Sequence, residues 1–171
     1  MAEFGSTVLH LEKDPPSVSP FPPDPESSGQ SQHSGPSARR AHVLVVEDDR
    51  TDVFVIKQVL EECDLGSNVR VARDGQEALQ YLDSMGDEAS VGTPSLILLD
   101  LNVPKITGLE ILRRLRSGRL RHIPVIIVTS SISESDRAAT ERLGADAYFQ
   151  KPHDLAAYMK LSHVIKRILH R

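Results

Sequence analysis

The stretch Ser95-Leu-Ile-Leu-Leu-Asp-Leu-Asn-Val-Pro-Lys-Ile-Thr-Gly-Leu-Glu-Ile-Leu112 reads as a strand, a loop rich in polar groups and a helix in direct succession. Leu96 to Leu99 is wholly apolar, as a strand must be when crossover helices cover both faces of its sheet. Asp100 ends that run, Thr107-Gly108 suits a helix entry, and Leu109, Ile111 and Leu112 begin a helical repeat. The same strand and helix alternation extends in both directions. Further strands are expected at His42–Val46, Asn68–Ala72, Pro124–Val128 and Asp146–Phe149. Helices fit at 50–63, 75–85, 108–117, 133–143 and 154–169, and Gly66, Gly118 and Gly144 stand where helices stop. Asn68–Ala72 alternates polar and apolar residues, which places it at a sheet edge. Because crossovers between parallel strands are right-handed, few topologies remain. The expected fold is α/β: a flavodoxin-like, doubly wound, five-stranded parallel sheet of order 2-1-3-4-5 with five helices in a three-layer sandwich.

Composition divides the 171 residues unevenly. Residues 1–40 hold seven of the 11 prolines and eight serines, with nine apolar residues among them. Such a segment buries too little apolar surface to offset the entropy of ordering it, so a disordered Pro/Ser-rich tail is expected at 1–40. Its opening Met1-Ala-Glu-Phe-Gly-Ser6 reads in part as a cloning remnant. Residues 41–171 are expected to form one domain. A net charge of -4, with 20 Lys plus Arg against 24 Asp plus Glu, speaks against a nucleic-acid partner, which needs a basic face. The single cysteine, Cys63, fits a reducing compartment. With no signal-peptide pattern and no long uncharged apolar run, a cytoplasmic location without membrane association is expected.

Open parallel sheets bind ligands beyond the carboxyl ends of their strands, at the point where strand order reverses. Glu47-Asp48-Asp49 follows the first apolar run, Asp100 the third, Thr129 the fourth and Lys151-Pro152 the fifth. Separate strands thus deliver acids, a hydroxyl and an ammonium to one end of the sheet. Clustered carboxylates repel one another and require a cation to stay ionised at close range. Hard oxygen ligands that leave room for water and phosphate oxygens suit Mg2+. A carboxylate is also a competent nucleophile toward phosphorus, and metal, ammonium and hydroxyl together can neutralise the oxygens of a transferring phosphoryl group. Asp49 is either a helix N-cap or a weak third acid. No Gly-rich phosphate loop occurs, so nucleotide is not the expected phosphodonor. No histidine pair has zinc-site spacing, and His42 and His153 are expected to face solvent.

These residues, with Tyr148-Phe-Gln-Lys-Pro152 at the fifth strand, resemble the receiver domain of two-component response regulators over 41–171. Leu101–Leu112 and Ile123–Ser131 are further similar to the small single-domain regulators paired with bacterial phytochromes. The resemblance implies that Asp100 accepts a phosphoryl group from a phosphohistidine on a sensor histidine kinase, here a bacteriophytochrome. It implies Mg2+ bound by Asp48, Asp100 and the backbone carbonyl of Asn102, with Glu47 acting mainly through a water. Lys151 would pair with Asp100 at rest and with phosphate afterwards. Thr129 would move to the phosphate, Tyr148 would turn into the space it leaves, and Asn102 and Ser131 would tune the lifetime of the phosphorylated form. The implied protein is a phospho-accepting switch that dephosphorylates itself rather than a metabolic enzyme. With no output domain expected after the fifth helix, its signal would pass by protein–protein contact or onward to a histidine phosphotransfer protein. Two other classes stay open: a phosphorylation-independent receiver-like binding module, and a Mg2+ phosphohydrolase with an aspartyl nucleophile, which would need its Asp-x-Asp motif on the first strand.

Two surfaces invite partners. Arg113, Arg114, Arg116, Arg119 and Arg121 fall within nine residues, and read as a solvated face or a dock for an acidic surface. The last helix carries a wide apolar arc, Ala157, Tyr158, Leu161, Val164, Ile165, Ile168 and Leu169, extended by Leu155 and Met159. That is more than one sheet face needs, so a homodimer through this helix is expected.

Overall fold

The computed structural model describes residues 41–85 and 92–170. The expected tail at 1–40 lies outside the described residues. From residue 41 the chain runs β1 (Val43–Val46), α1 (Arg50–Glu61), β2 (Val69–Ala72), α2 (Gly75–Ser84), β3 (Leu96–Leu99), α3 (Gly108–Ser117), β4 (Val125–Thr129), α4 (Glu134–Leu143) and β5 (Ala147–Gln150). It closes with α5 (Leu155–Tyr158) and α6 (Leu161–Leu169). All strand pairs are parallel, in the order β2-β1-β3-β4-β5. The expected sheet and its edge strand β2 are therefore present.

Alternation along each central strand builds two cores. Leu44, Val46, Ile97, Leu99, Val125 and Ile127 face α2 and α3, against Ala78, Leu79, Leu82, Ile111, Leu112 and Leu115. Val43, Val45, Leu96, Leu98, Ile126 and Val128 face the other way, against Ile56, Val59 and Leu60 of α1 and Leu161, Ile165 and Ile168 of α6. The continuous apolar runs are explained by this double covering. Each fully buried Leu or Ile contributes about 1.5–3 kcal/mol relative to exposure, so β1, β3 and β4 form the rigid frame of the molecule.

Helix starts follow the capping residues. Asp49, Asp74, Thr107 and Ser133 each accept a backbone N–H from the first turn of α1, α2, α3 and α4. The C-terminal segment departs from the single helix expected over 154–169. Met159 and Lys160 separate α5 from α6, and the amides of Lys160, Ser162 and His163 bond three residues back instead of four. Ser162, buried on the core face, also donates its hydroxyl to the Met159 carbonyl at 2.7 Å. A side chain that competes for a helical carbonyl tightens the turn locally.

Register brings the site together. Val46 pairs with Leu99, and Thr129 with Gln150, so β1, β3, β4 and β5 finish nearly level. The residues just past those ends, Glu47, Asp100 and Lys151, meet where strand order reverses between β1 and β3. Gly108 permits the close return of the β3–α3 loop, because a Cβ there would collide with the backbone oxygen of Asp100. Gly75 does the same at the start of α2, where a Cβ would strike the Ile106 carbonyl.

Candidate functional site

Lys151 is the centre of the site. Its ammonium donates to Asp100 Oδ2 at 2.7 Å, Glu47 Oε2 at 2.7 Å and Asp52 Oδ2 at 2.8 Å. An ammonium has three hydrogens, and each has a carboxylate partner from a different element. Asp100 and Glu47 are buried, at 5% and 1% exposure, while Asp48 beside them is exposed. Ligand atoms from Glu47, Asp48 and Asp100 lie within 4.8 Å of one another. Among the described residues this is the only such cluster of acids, cysteines or histidines.

The charges do not balance. One ammonium faces Glu47, Asp52 and Asp100, with Asp48 close by. Desolvation pushes the Glu47 carboxyl up to about 7, against the lowering effect of its hydrogen bond to Lys151. Burial also works against the Lys151 ammonium, but its hydrogen bonds to Asp100, Asp52 and Glu47 prevail and hold it above the usual lysine range. Burial opposes the charged form of both groups; the ammonium overcomes it with three carboxylate partners, whereas Glu47 has only a share of one ammonium and does not. Such a set accommodates an additional cation. The donors are all oxygen, from carboxylates fixed on strand ends, and Asn102 stands beside them with its N–H bound to Asp100 Oδ1 at 3.1 Å. Hard oxygen donors with excess negative charge fit a divalent ion of the Mg2+ or Mn2+ type.

The remaining residues lie along the same edge. Thr129, fully buried, ends β4, and its Oγ1 accepts the Ser131 N–H at 3.3 Å. Tyr148 on β5 is half-buried and donates its hydroxyl to the Ser131 carbonyl at 3.0 Å. Burial raises its phenol above the ordinary value, and the Arg137 guanidinium lies over its ring. Thr129 and Tyr148 are thus connected through Ser131.

The geometry decides several open readings. Asp49 is the N-cap of α1, accepting from Thr51 and Asp52 at 2.7 and 3.0 Å. His42, expected to face solvent, is half-buried: its ring bonds the Gly92 carbonyl at 2.6 Å and packs edge-on against Tyr81. His153 is exposed as expected. Much of the arginine cluster is structural. Arg116 bonds the carbonyls of Gly144, Arg121 and Ile123 and pairs with Asp146, Arg119 reaches the carbonyls of Asp83 and Met85, and Arg113 and Arg114 pair with Glu110. The sequence reading missed Asp52. Its signal was available, since a residue four beyond Asp48 at the start of a helix returns to the same face.

An α/β sheet of this order, with acids at the ends of β1 and β3 and a lysine after β5, defines a receiver-type domain. The chain belongs to the response regulator receiver domain family, whose model matches residues 43–162. The response regulator Rcp1 of Synechocystis is 33% identical over 120 residues, spanning 70% of this chain and 82% of Rcp1. Among solved structures, the phosphorylated cyanobacterial phytochrome response regulator RcpA superimposes with a TM-score of 0.68 at 32% identity, covering 77% of this chain and 94% of that one. The bacteriophytochrome response regulator RtBRR gives 0.62 at 40% identity, covering 77% and 78%. Rcp1 itself has been solved in a Mn2+-bound form, with a TM-score of 0.64 at 32% identity over 74% of this chain and 91% of that one. Receiver domains bind divalent metal, interact with histidine kinases, and are signalling proteins rather than metabolic enzymes. Among the described residues no helix is long and apolar enough to cross a membrane.

Proposed function

We propose that this receiver is the phosphoacceptor of a two-component phosphorelay, with Asp100 taking a phosphoryl group from a phosphohistidine of a sensor histidine kinase. The observation that carries the reading is the sharing of one ammonium, that of Lys151, between Asp100 and the acids of β1 and α1. An Asp100 carboxylate oxygen attacks phosphorus, the phosphorus–nitrogen bond breaks, and its electron pair returns to the imidazole. Lys151 and the Thr129 hydroxyl supply hydrogen bonds to the phosphoryl oxygens as charge moves onto them. Asp48, Asp100 and the Asn102 carbonyl would hold Mg2+, with Glu47 acting mainly through a water, and the ion would supply charge neutralisation at those oxygens. Water attack on phosphorus later breaks its bond to the Asp100 oxygen, releasing inorganic phosphate and regenerating the carboxylate, which is the self-dephosphorylation of the switch.

Output follows from a change of surface. Phosphate contacts draw Thr129 toward Asp100 and Tyr148 follows inward, so that the ligand distinguishes two states of the β4–α4 and β5 surface. The kinase is proposed to be a bacteriophytochrome, in view of the likeness to RcpA, Rcp1 and RtBRR. The signal is proposed to leave by contact with other proteins or by transfer to a histidine phosphotransfer protein, in the cytoplasm and without nucleic acid. A homodimer through α5 and α6 is part of this reading. Leu161, Ile165 and Ile168 are spent on the core, leaving Leu155, 59% exposed, for a second copy.

The test is incubation of the chain with acetyl phosphate and Mg2+, read by intact mass. A gain of one phosphoryl group that Asp100→Asn abolishes is the expected result. No gain, together with no response to beryllofluoride, would favour a phosphorylation-independent binding module instead. Sedimentation with and without beryllofluoride tests the dimer, and monomer alone in both would remove it.

A further inference from the structure

The three carboxylates on Lys151 differ in what else they can do. Glu47 and Asp100 belong to the acid cluster that suits a divalent ion, whereas Asp52 is not part of it. Asp52 also comes from a helix rather than a strand end, and its side chain is 29% exposed against 1% and 6% for the other two. Its placement is fixed locally. The Asp52 N–H is held by the Asp49 cap, in the first turn of α1, where the helix dipole favours a negative charge.

We infer that Asp52 is the standing anchor of Lys151: a positioning residue that keeps the ammonium at the pocket when Glu47 and Asp100 turn to a cation and a phosphoryl group. This rests on the phosphoacceptor reading above. A lysine ammonium is a point charge on a flexible four-carbon stem. Once a divalent ion neutralises Glu47 and Asp100, their pull on the ammonium falls and the two cations repel. Without a third partner the stem is free to carry the charge out to water. Asp52 retains one of the three hydrogens and leaves two for phosphoryl oxygens, so Lys151 is already oriented when the phosphoryl group arrives. The effect runs entirely through Lys151, which separates it from a general effect of one negative charge near the site.

The test is a double-mutant cycle on the full chain with Mg2+ saturating and beryllofluoride as the phosphoryl mimic, binding being followed by amide chemical shifts. Asp52→Asn is expected to weaken beryllofluoride about fivefold to tenfold, the scale of one charge-assisted hydrogen bond. In the Lys151→Met background the same substitution should have less than about a twofold effect, since contacting residues couple and independent ones do not. Asp52→Glu, which keeps a carboxylate within reach of Nζ, should recover most of the native affinity. An equal loss in both backgrounds overturns the anchor, because Asp52 would then act through its own field. So does an Asp52→Asn affinity equal to that of the native chain. Should Lys151→Met fail to fold, the glutamate arm decides, and an affinity as poor as that of Asp52→Asn overturns the proposal. A native chain that takes up no beryllofluoride overturns the phosphoacceptor reading and the anchor with it; a native chain that binds normally with no coupling overturns the anchor alone.

Discussion

Freed of divalent ions, the protein should become less stable as pH rises through neutrality, and Glu47 should be a principal reason. Its carboxyl has an ordinary value of 4.5 and is pushed up to about 7 by burial in the fold. A group whose value is raised on folding contributes stability that is complete below the unfolded value and lost as pH rises through the folded one. Between roughly pH 5.5 and pH 8, linkage across these two values removes about 2 kcal/mol. Glu47→Gln retains the shape and the burial but cannot ionise, so this part of the pH dependence should vanish. Urea unfolding in chelator, followed by far-ultraviolet circular dichroism at both pH values, gives the two differences. Asp49 and Asp74, held below the usual carboxylate range by hydrogen bonds, the first to backbone amides and the second to Lys105, drift the other way in acid. They are common to both proteins and cancel in the comparison. Parallel pH profiles for the native chain and Glu47→Gln would refute the reasoning. Saturating Mg2+ should flatten the native profile too, since a cation then takes the place of the proton.

Other parts of the fold offer sharper contrasts. Gly108→Ala places a Cβ against the backbone oxygen of Asp100, and should cost about 2 kcal/mol or more in urea unfolding, within the range for strain in a packed site. Beryllofluoride binding should fall with it. Arg116→Ala releases three carbonyls and Asp146 and should cost about 2 kcal/mol, whereas Arg113→Ala, removing an exposed pair with Glu110, should cost less than about 0.5 kcal/mol. Equal effects would mean that the arginine cluster acts as one solvated face. Tyr158→Phe removes a buried hydroxyl that has no hydrogen-bond partner among the described residues, so the thermal midpoint should hold or rise, consistent with a gain of up to about 1 kcal/mol. A clear fall would mean that the hydroxyl is satisfied in solution.

The fold was legible because the sheet is buried on both faces, and runs such as Leu96–Leu99 and Val125–Val128 have no other reading at that length. Caps were legible in part: Thr107 stands directly before its helix, whereas Asp49 stayed between an N-cap and a weak third acid until its contacts with Thr51 and Asp52 placed it. Site residues at strand ends could be collected because parallel register brings strand ends level. What escaped was set by contacts distant in sequence. Asp52 lies 99 residues from Lys151: its spacing of four from Asp48 returns it to the same face, but only the distant lysine shows what that face meets. His42 meets Gly92 and Tyr81 from 50 and 39 residues away, which hides it in a position that looks like the exposed start of a strand. Arg116 was grouped with its neighbours by composition, while its real partners are carbonyls at the ends of other elements. The break between α5 and α6 depends on a hydroxyl, that of Ser162, choosing a carbonyl over water, a choice made by its burial.

Two segments of very different stiffness meet at this site, and the proposed switch depends on that difference. Glu47, Asp100 and Thr129 ride on strands whose side chains are almost fully buried, so the acids cannot separate to relieve their repulsion. Relief has to come from a proton, a cation, or movement of side chains that are less confined. Thr129 is the nearest hydroxyl at the end of β4, and its Oγ1 holds the Ser131 amide. Ser131 in turn holds Tyr148 through its carbonyl and Asp136 of α4 through its hydroxyl at 2.7 Å. If Thr129 rotates toward a phosphoryl group, the Ser131 amide loses its acceptor, and both the carbonyl on Tyr148 and the hydroxyl on Asp136 are disturbed together. In the proposed switch the coupling between Thr129 and Tyr148 would therefore run through the Ser131 backbone as much as through the space between the two side chains. It also draws in the first turn of α4, a helix with little apolar burial to resist displacement: among its residues only Thr140 is buried. The charge imbalance sits on buried strand ends, and in the proposed switch its effects would emerge at a helix in which one residue is buried.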